Sequence, residues 1–166
     1  MGPLPAVTLG SLQRALRDAR SISLDTAVFL ARADPNDPRQ PCAKWLLDAV
    51  ESGRFDCVIS ALSAAEMLVR PSAVGPARLA ATEDALRGFP HLLIRPITFD
   101  DSGSAAQVRA ATRLRLPDAV VVSNALTARV DALVHCDDEW DVKTAAYGRS
   151  LTIVNLNAHC GHSGRG

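Results

Sequence analysis

Four acidic residues each sit within or directly beside an apolar stretch: Asp25 in SISLDTAVFL, Glu66 in LSAAEMLV, Asp118 in LPDAVVV and Asp137 after ALVHC. Carboxylates gathered in one place repel, and one of them takes up a proton unless a counter-charge arrives. A hard divalent cation removes that conflict. Mg²⁺ accepts few protein carboxylates and keeps several of its waters. An oxygen-only donor set, without His or Cys, favours Mg²⁺ or Mn²⁺ over zinc. Such an ion polarises a phosphodiester and activates water. The chemistry implied is metal-assisted hydrolysis of a phosphate ester.

Taken singly, each acid also has a structural explanation. Ser63-x-x-Glu66 has the form of a capping box. Asp25, Asp118 and Asp137 suit helix N-termini. Capping does not, however, require four acids in apolar surroundings at one edge of a sheet.

That edge follows from the element pattern. Apolar runs predict strands at 21–24, 56–60, 91–97, 132–135 and 151–156. Helical spacing or flanking Pro and Gly predict helices at 9–20, 27–33, 42–52, 62–70, 76–87, 104–115, 118–130 and 137–148. The runs DPNDPRQP and DDSGS are expected to be loops. Strand and helix alternate, which predicts an α/β fold with a mostly parallel sheet covered on both faces. Ligands of such sheets sit outside the carboxyl ends of the strands. Asp25 ends the first strand, Glu66 opens the helix after the second, and Asp137 follows ALVH. Asp118 opens a helix that no strand directly precedes.

Bulk properties narrow the field. The 166 residues suit one domain. Formal net charge is zero, so a basic excess offers no argument for nucleic acid. Of 18 basic residues 16 are Arg, which grips phosphate well but which a GC-rich genome also favours. Aromatic residues make up 4%, too few for a base-stacking platform. Cys42, Cys57, Cys136 and Cys160 show no C-x-x-C spacing and no secretory leader is visible, so reduced thiols and a cytoplasmic location are expected. His159-Cys160-x-His162 lacks a second ligand cluster and is expected to belong to a disordered end. The apolar runs are too short to span a bilayer.

LDTAVFL, ISALSAAEMLVRP, LRLPDAVVVSNAL and ALVHCDDEW together resemble, in order, the four motifs of PIN-domain ribonucleases. In size the chain resembles the VapC-like toxins of bacterial toxin–antitoxin pairs. The resemblance spans residues 21–155. It implies a single PIN-like domain with a five-stranded parallel sheet in the order 3-2-1-4-5. It leaves an N-terminal extension, 1–20, and a tail, 156–166, expected to be disordered. It makes Asp25, Glu66, Asp118 and Asp137 an acidic quartet that binds Mg²⁺ or Mn²⁺ and hydrolyses RNA. Thr26 would support the site through its hydroxyl. A small antitoxin protein and a homodimer are the partners it implies.

Three positions depart from the family pattern. Ala27 stands where Asn is frequent, His135 where Thr or Ser is usual, and Asp138 adjoins Asp137, so that either acid is a candidate for the fourth ligand. His135 is a candidate to hydrogen-bond substrate or Asp137. Arg109, Arg113 and Arg115 are candidates to follow an RNA backbone, with a solvated helix face as the alternative. Ser123 and Asn124 are further supporting candidates. Two other readings remain: a catalytically silent module that binds RNA or protein, and a phosphohydrolase acting on a small ester.

Overall fold

The computed structural model describes residues 5–160, with side chains from residue 9 onward. In chain order the elements are α1 (Pro5–Ala15), β1 (Ser21–Leu24), α2 (Thr26–Ala33), α3 (Gln40–Glu51), β2 (Asp56–Ser60), α4 (Ala61–Val74), α5 (Pro76–Arg87), β3 (Leu92–Arg95), α6 (Phe99–Thr112), α7 (Leu116–Thr127), β4 (Ala132–His135), α8 (Asp138–Lys143), β5 (Thr152–Asn155) and α9 (Leu156–His159). A 3₁₀ turn, Ala145–Tyr147, follows α8.

The five strands form one parallel sheet in the order β3-β2-β1-β4-β5. Parallel pairing requires a crossover between strands, and the intervening helices supply it. Crossovers cover both faces, so the central strands must be apolar throughout. Every residue of β4 is buried, and so are three of the four in β1. One core packs Leu12, Leu16, Leu24, Val28, Leu46 and Ile59; the other packs Val108, Leu114, Val122, Leu133 and Trp140.

Several boundaries differ from expectation. The DDSGS run is helical, not a loop, because Thr98 and Asp101 form a capping box that starts α6 at Phe99. This helix stops at Thr112, and Arg113 turns left-handed with φ 58°. Arg109 and Arg113 therefore do not lie one turn apart on one helix. Pro71 lies inside the last turn of α4, which continues to Val74 and ends at Gly75, φ 146°. The expected strand at 91–97 is limited to Leu92–Arg95.

The N-terminal extension is helical as expected and packs on the core, whereas the tail is more ordered than expected. Leu12 on α1 and Leu16 just after it are fully buried, and Arg54 donates to the carbonyls of Ala19 and Arg17, each at 2.8 Å. The tail is helical over Leu156–His159, with Leu156 buried. It is held because His159 Nδ1 lies 2.6 Å from Ser11 Oγ and Cys160 packs onto α3. Residues 161–166, including His162, fall outside the described residues.

Cys42 and Cys160 are paired as a disulfide, their Cα atoms 6.3 Å apart, a spacing within the range that such bonds require. The expectation of four reduced thiols is corrected accordingly; Cys57 and Cys136 remain free. The bond closes a loop across a sequence separation of 118 residues. Cys160→Ser is expected to cost about 2–4 kcal/mol, read as a lower denaturant midpoint than that of the oxidised wild type. Equal midpoints would show that the bond contributes nothing to stability.

Candidate metal centre

Each acid of the quartet arrives on a different element. Asp25 leaves the end of β1, where its backbone N–H still donates to Val134 O at 2.9 Å. That bond fixes it at the carboxyl edge of the sheet. Its carboxylate makes no capping hydrogen bond to α2. The capping explanation fails for Glu66. The N-cap of α4 is Ser60, which accepts from the Ser63 N–H at 3.1 Å, so Glu66 lies beyond the cap. Glu66 is held instead by Thr26, whose Oγ1 donates to Glu66 Oε2 at 2.7 Å.

Asp118 sits in the first turn of α7, just after Pro117. Pro is tolerated there because a first-turn N–H has no helical partner. Asp118 Oδ2 accepts from Arg115 Nε at 3.1 Å. Capping holds only for Asp137. Its Oδ1 accepts from the Glu139 N–H at 2.9 Å and starts α8. The neighbouring Asp138 turns to the sheet edge. Its Oδ1 accepts from Asn155 Nδ2 at 2.8 Å and Asn157 Nδ2 at 3.0 Å.

Two adjoining cavities connect these groups. One, of about 410 Å³, is lined by Asp25, Thr26, Glu66, Arg115 and Asp118, with Leu30, Met67 and Val69 at its apolar side. The other, of about 430 Å³, is lined by Asp25, Arg115, Asp118, Asp137 and Asp138. Asp25 and Asp118 border both, while Glu66 lines only the first and Asp137 only the second. A larger cavity of about 610 Å³ lies at the amino ends of the strands, beside Arg129, Asp131 and Ser150, and holds none of them.

The electrostatics reflect this crowding. The Asp25 pKa is pushed up to about 6, chiefly by burial, then by the charges of Asp118 and Glu66; the facing amides of Thr26 and Ala27 pull the other way. Arg115 has its pKa raised by its hydrogen bond and charge pairing with Asp118, and by the charges of Asp137 and Glu66. Burial holds the Cys136 thiol near 11, so it stays protonated and is a poor metal ligand at neutral pH.

These residues fit a hard cation. The donors are carboxylate oxygens, and Asp25 is strained toward protonation without a counter-charge. Among the described residues no three His, Cys, Asp or Glu side chains form a ready-made cage. An ion held here would keep much of its water and touch few carboxylates.

The other candidates separate by position. His135 is fully buried, and of its two candidate partners, substrate or Asp137, it contacts Asp137. Its ring stacks on Trp140, centroids 4.9 Å apart, and its Nδ1 accepts from the Asp137 N–H at 3.2 Å. Burial lowers its pKa, so the ring is neutral with its proton on Nε2, 3.3 Å from Asp141 Oδ1. Arg109 donates to the Leu114 carbonyl just past the end of its own helix. Arg113 is exposed. Ser123 donates to Val120 O, and Asn124 accepts from Arg95; neither lines the cleft.

Asn155 and Asn157 were absent from the sequence-based candidates. Asn157 also donates to Cys136 O at 2.9 Å, so it clamps the loop carrying Asp137 and Asp138. Nothing local in NLNAH marks that role, because its partners lie 19 and 21 residues away.

Comparison with known proteins bears on family and fold. The PIN domain family profile matches residues 22–145. No curated protein sequence matches the chain. A toxin–antitoxin complex from Klebsiella pneumoniae superposes with a TM-score of 0.59 at 20% identity, over 81% of this chain and 97% of that one. FitAcB from Neisseria gonorrhoeae gives 0.60 at 17%, over 81% and 97%. VapC20 of Mycobacterium tuberculosis, a sarcin-ricin loop cleaving toxin, gives 0.58 at 18%, over 75% and 94%.

Proposed function

The chain belongs to the PIN domain family, and from that premise we propose that it is a metal-dependent endoribonuclease, the toxin of a toxin–antitoxin pair. The observation that carries the reading is the gathering of Asp25, Glu66, Asp118 and Asp137 along two cavities that share Asp25 and Asp118, with Asp25 held near a pKa of 6. Asp25, Asp118 and Asp137 would hold Mg²⁺ or Mn²⁺, directly or through water. When bound, such an ion supplies Lewis-acid polarisation of the phosphate and a more acidic water. Glu66, oriented by Thr26, is placed to share the ion or to accept a proton from water. Asp137 is positioned through its backbone by His135 and serves the cleft from the α8 cap. Asp138 is committed to Asn155 and Asn157, which favours Asp137 as the fourth acid.

The toxin role is supported by the border of the cleft. Leu30 on α2 and Val69 on α4 are 44% and 65% exposed beside Met67. Such a rim suits an apolar antitoxin segment laid along α2 and α4. A homodimer belongs to the same reading. Among the described residues no helix is long and apolar enough to cross a membrane, and the proposed site of action is the cytoplasm.

The test is metal removal. Purified protein is expected to cut labelled RNA in Mg²⁺ or Mn²⁺ and to stop when EDTA is added. RNA bound but uncut with every metal would favour the silent binding module. Hydrolysis of small phosphate esters, with RNA left intact, would favour the phosphohydrolase.

A further inference from the structure

The acidic cleft carries a cation of its own. Arg115 lines both cavities that meet at Asp25 and Asp118. Its backbone is extended, φ −62° and ψ 155°, and caps α7 without using the side chain. The guanidinium is therefore free to turn toward the acids. Nε donates to Asp118 Oδ2, while Nη1 and Nη2 make no hydrogen bond among the described residues. The side chain is 82% exposed, that of Asp118 only 16%. One end of the guanidinium is thus anchored and the other faces solvent at the mouth of the cleft. Arg109 lines neither cavity, and its Nη1 donates to the Leu114 carbonyl.

A guanidinium is a rigid plane of five donors. Anchoring Nε sets the orientation of that plane and leaves a pair of N–H groups matched to an anionic phosphate. Lys cannot hold an acid and present a planar fork at once. Asp118 Oδ1 makes no hydrogen bond among the described residues, so one carboxylate has an oxygen for Arg115 and another for the cleft.

We propose that Arg115 is a phosphate clamp hinged on Asp118, its Nη fork taking an anionic oxygen of an RNA phosphate at the mouth of the acidic cleft. This inference rests on the reading of the cleft as an RNA-cutting site. Arg115 acts on substrate, and Asp118 positions it.

The test measures binding of a short labelled single-stranded RNA of mixed sequence, by anisotropy across a salt series with Ca²⁺ replacing Mg²⁺. Wild type, Arg115→Lys and Arg115→Gln are compared, and Mn²⁺ is titrated by calorimetry without RNA. Arg115→Gln is expected to weaken RNA binding roughly tenfold or more. Its log–log salt slope should fall by about 0.7. Arg115→Lys should restore the slope but not the affinity. Mn²⁺ should bind Arg115→Gln at least as tightly as wild type, since a competing cation is gone. Unchanged RNA affinity and slope in Arg115→Gln, with a wild type that binds and cuts RNA, would overturn the clamp alone. Equal losses of RNA and Mn²⁺ binding would also overturn it, by showing that the effect passes through Asp118. A wild type that binds Mn²⁺ but neither binds nor cuts RNA would overturn the nuclease reading and the clamp together.

Discussion

Asp25→Asn is expected to yield a protein that is more stable than wild type without metal and that no longer cuts RNA. The two effects share one cause. In the fold the Asp25 pKa is about 6 against an ordinary 3.8, because burial and the nearby Asp118 and Glu66 disfavour its charge. A group whose pKa is raised on folding contributes stability that is fully present below about 3.8 and is lost as pH rises through about 6. At neutral pH the ionised carboxylate therefore costs the metal-free fold up to about 3 kcal/mol. Asn keeps the shape and removes the charge. Its melting temperature without metal should rise by about 5 °C or more at pH 7, and the gain should shrink as pH falls from 6 to 4. Added Mn²⁺ should stabilise wild type and not the variant, because ligand binding to the folded state is stabilising. Wild-type affinity for Mn²⁺ should also weaken as pH drops below 6, where Asp25 protonates. A variant less stable than wild type at pH 7 would show that Asp25 is a structural residue rather than a strained ligand.

Asp118→Asn separates activity from stability in a different way. Asp118 borders both cavities and pairs with Arg115, so under the proposed function its loss removes a metal ligand and frees the proposed clamp. RNA cleavage should fall on the order of 10³-fold or more. Stability should change by no more than about 1 kcal/mol, because Arg115 is largely exposed and such pairs contribute little. Cleavage measured beside thermal melting reads both effects. Near-normal cleavage by a folded variant would place the chemistry elsewhere.

Much of the scaffold was legible before the fold. SISL, DCVIS and ALVH are short apolar runs, and they are strands at the expected residues because a parallel sheet buries both faces. Asp25, Glu66 and Asp137 were placed at the carboxyl edge by the same logic. The misread segments were those whose structure depends on side-chain hydrogen bonds or distant packing. DDSGS looks like a loop until Thr98 and Asp101 cap one another. NLNAHC looks like a loose tail until Ser11, Asp138 and Cys42 hold it.

The sequence by itself determined which residues carry charge, which stretches alternate, and hence that Asp25, Glu66 and Asp137 reach one side of a parallel sheet. Only the tertiary structure decided how each acid is employed. Glu66 answers to Thr26 rather than to a helix cap, Asp138 is committed to two asparagines, His135 is buried against Trp140, and of three neighbouring arginines Arg115 meets the cleft with an open fork. The reason is physical. Chain periodicity sets the face on which a residue lies, but the partner of a side chain depends on the register between elements far apart in the chain.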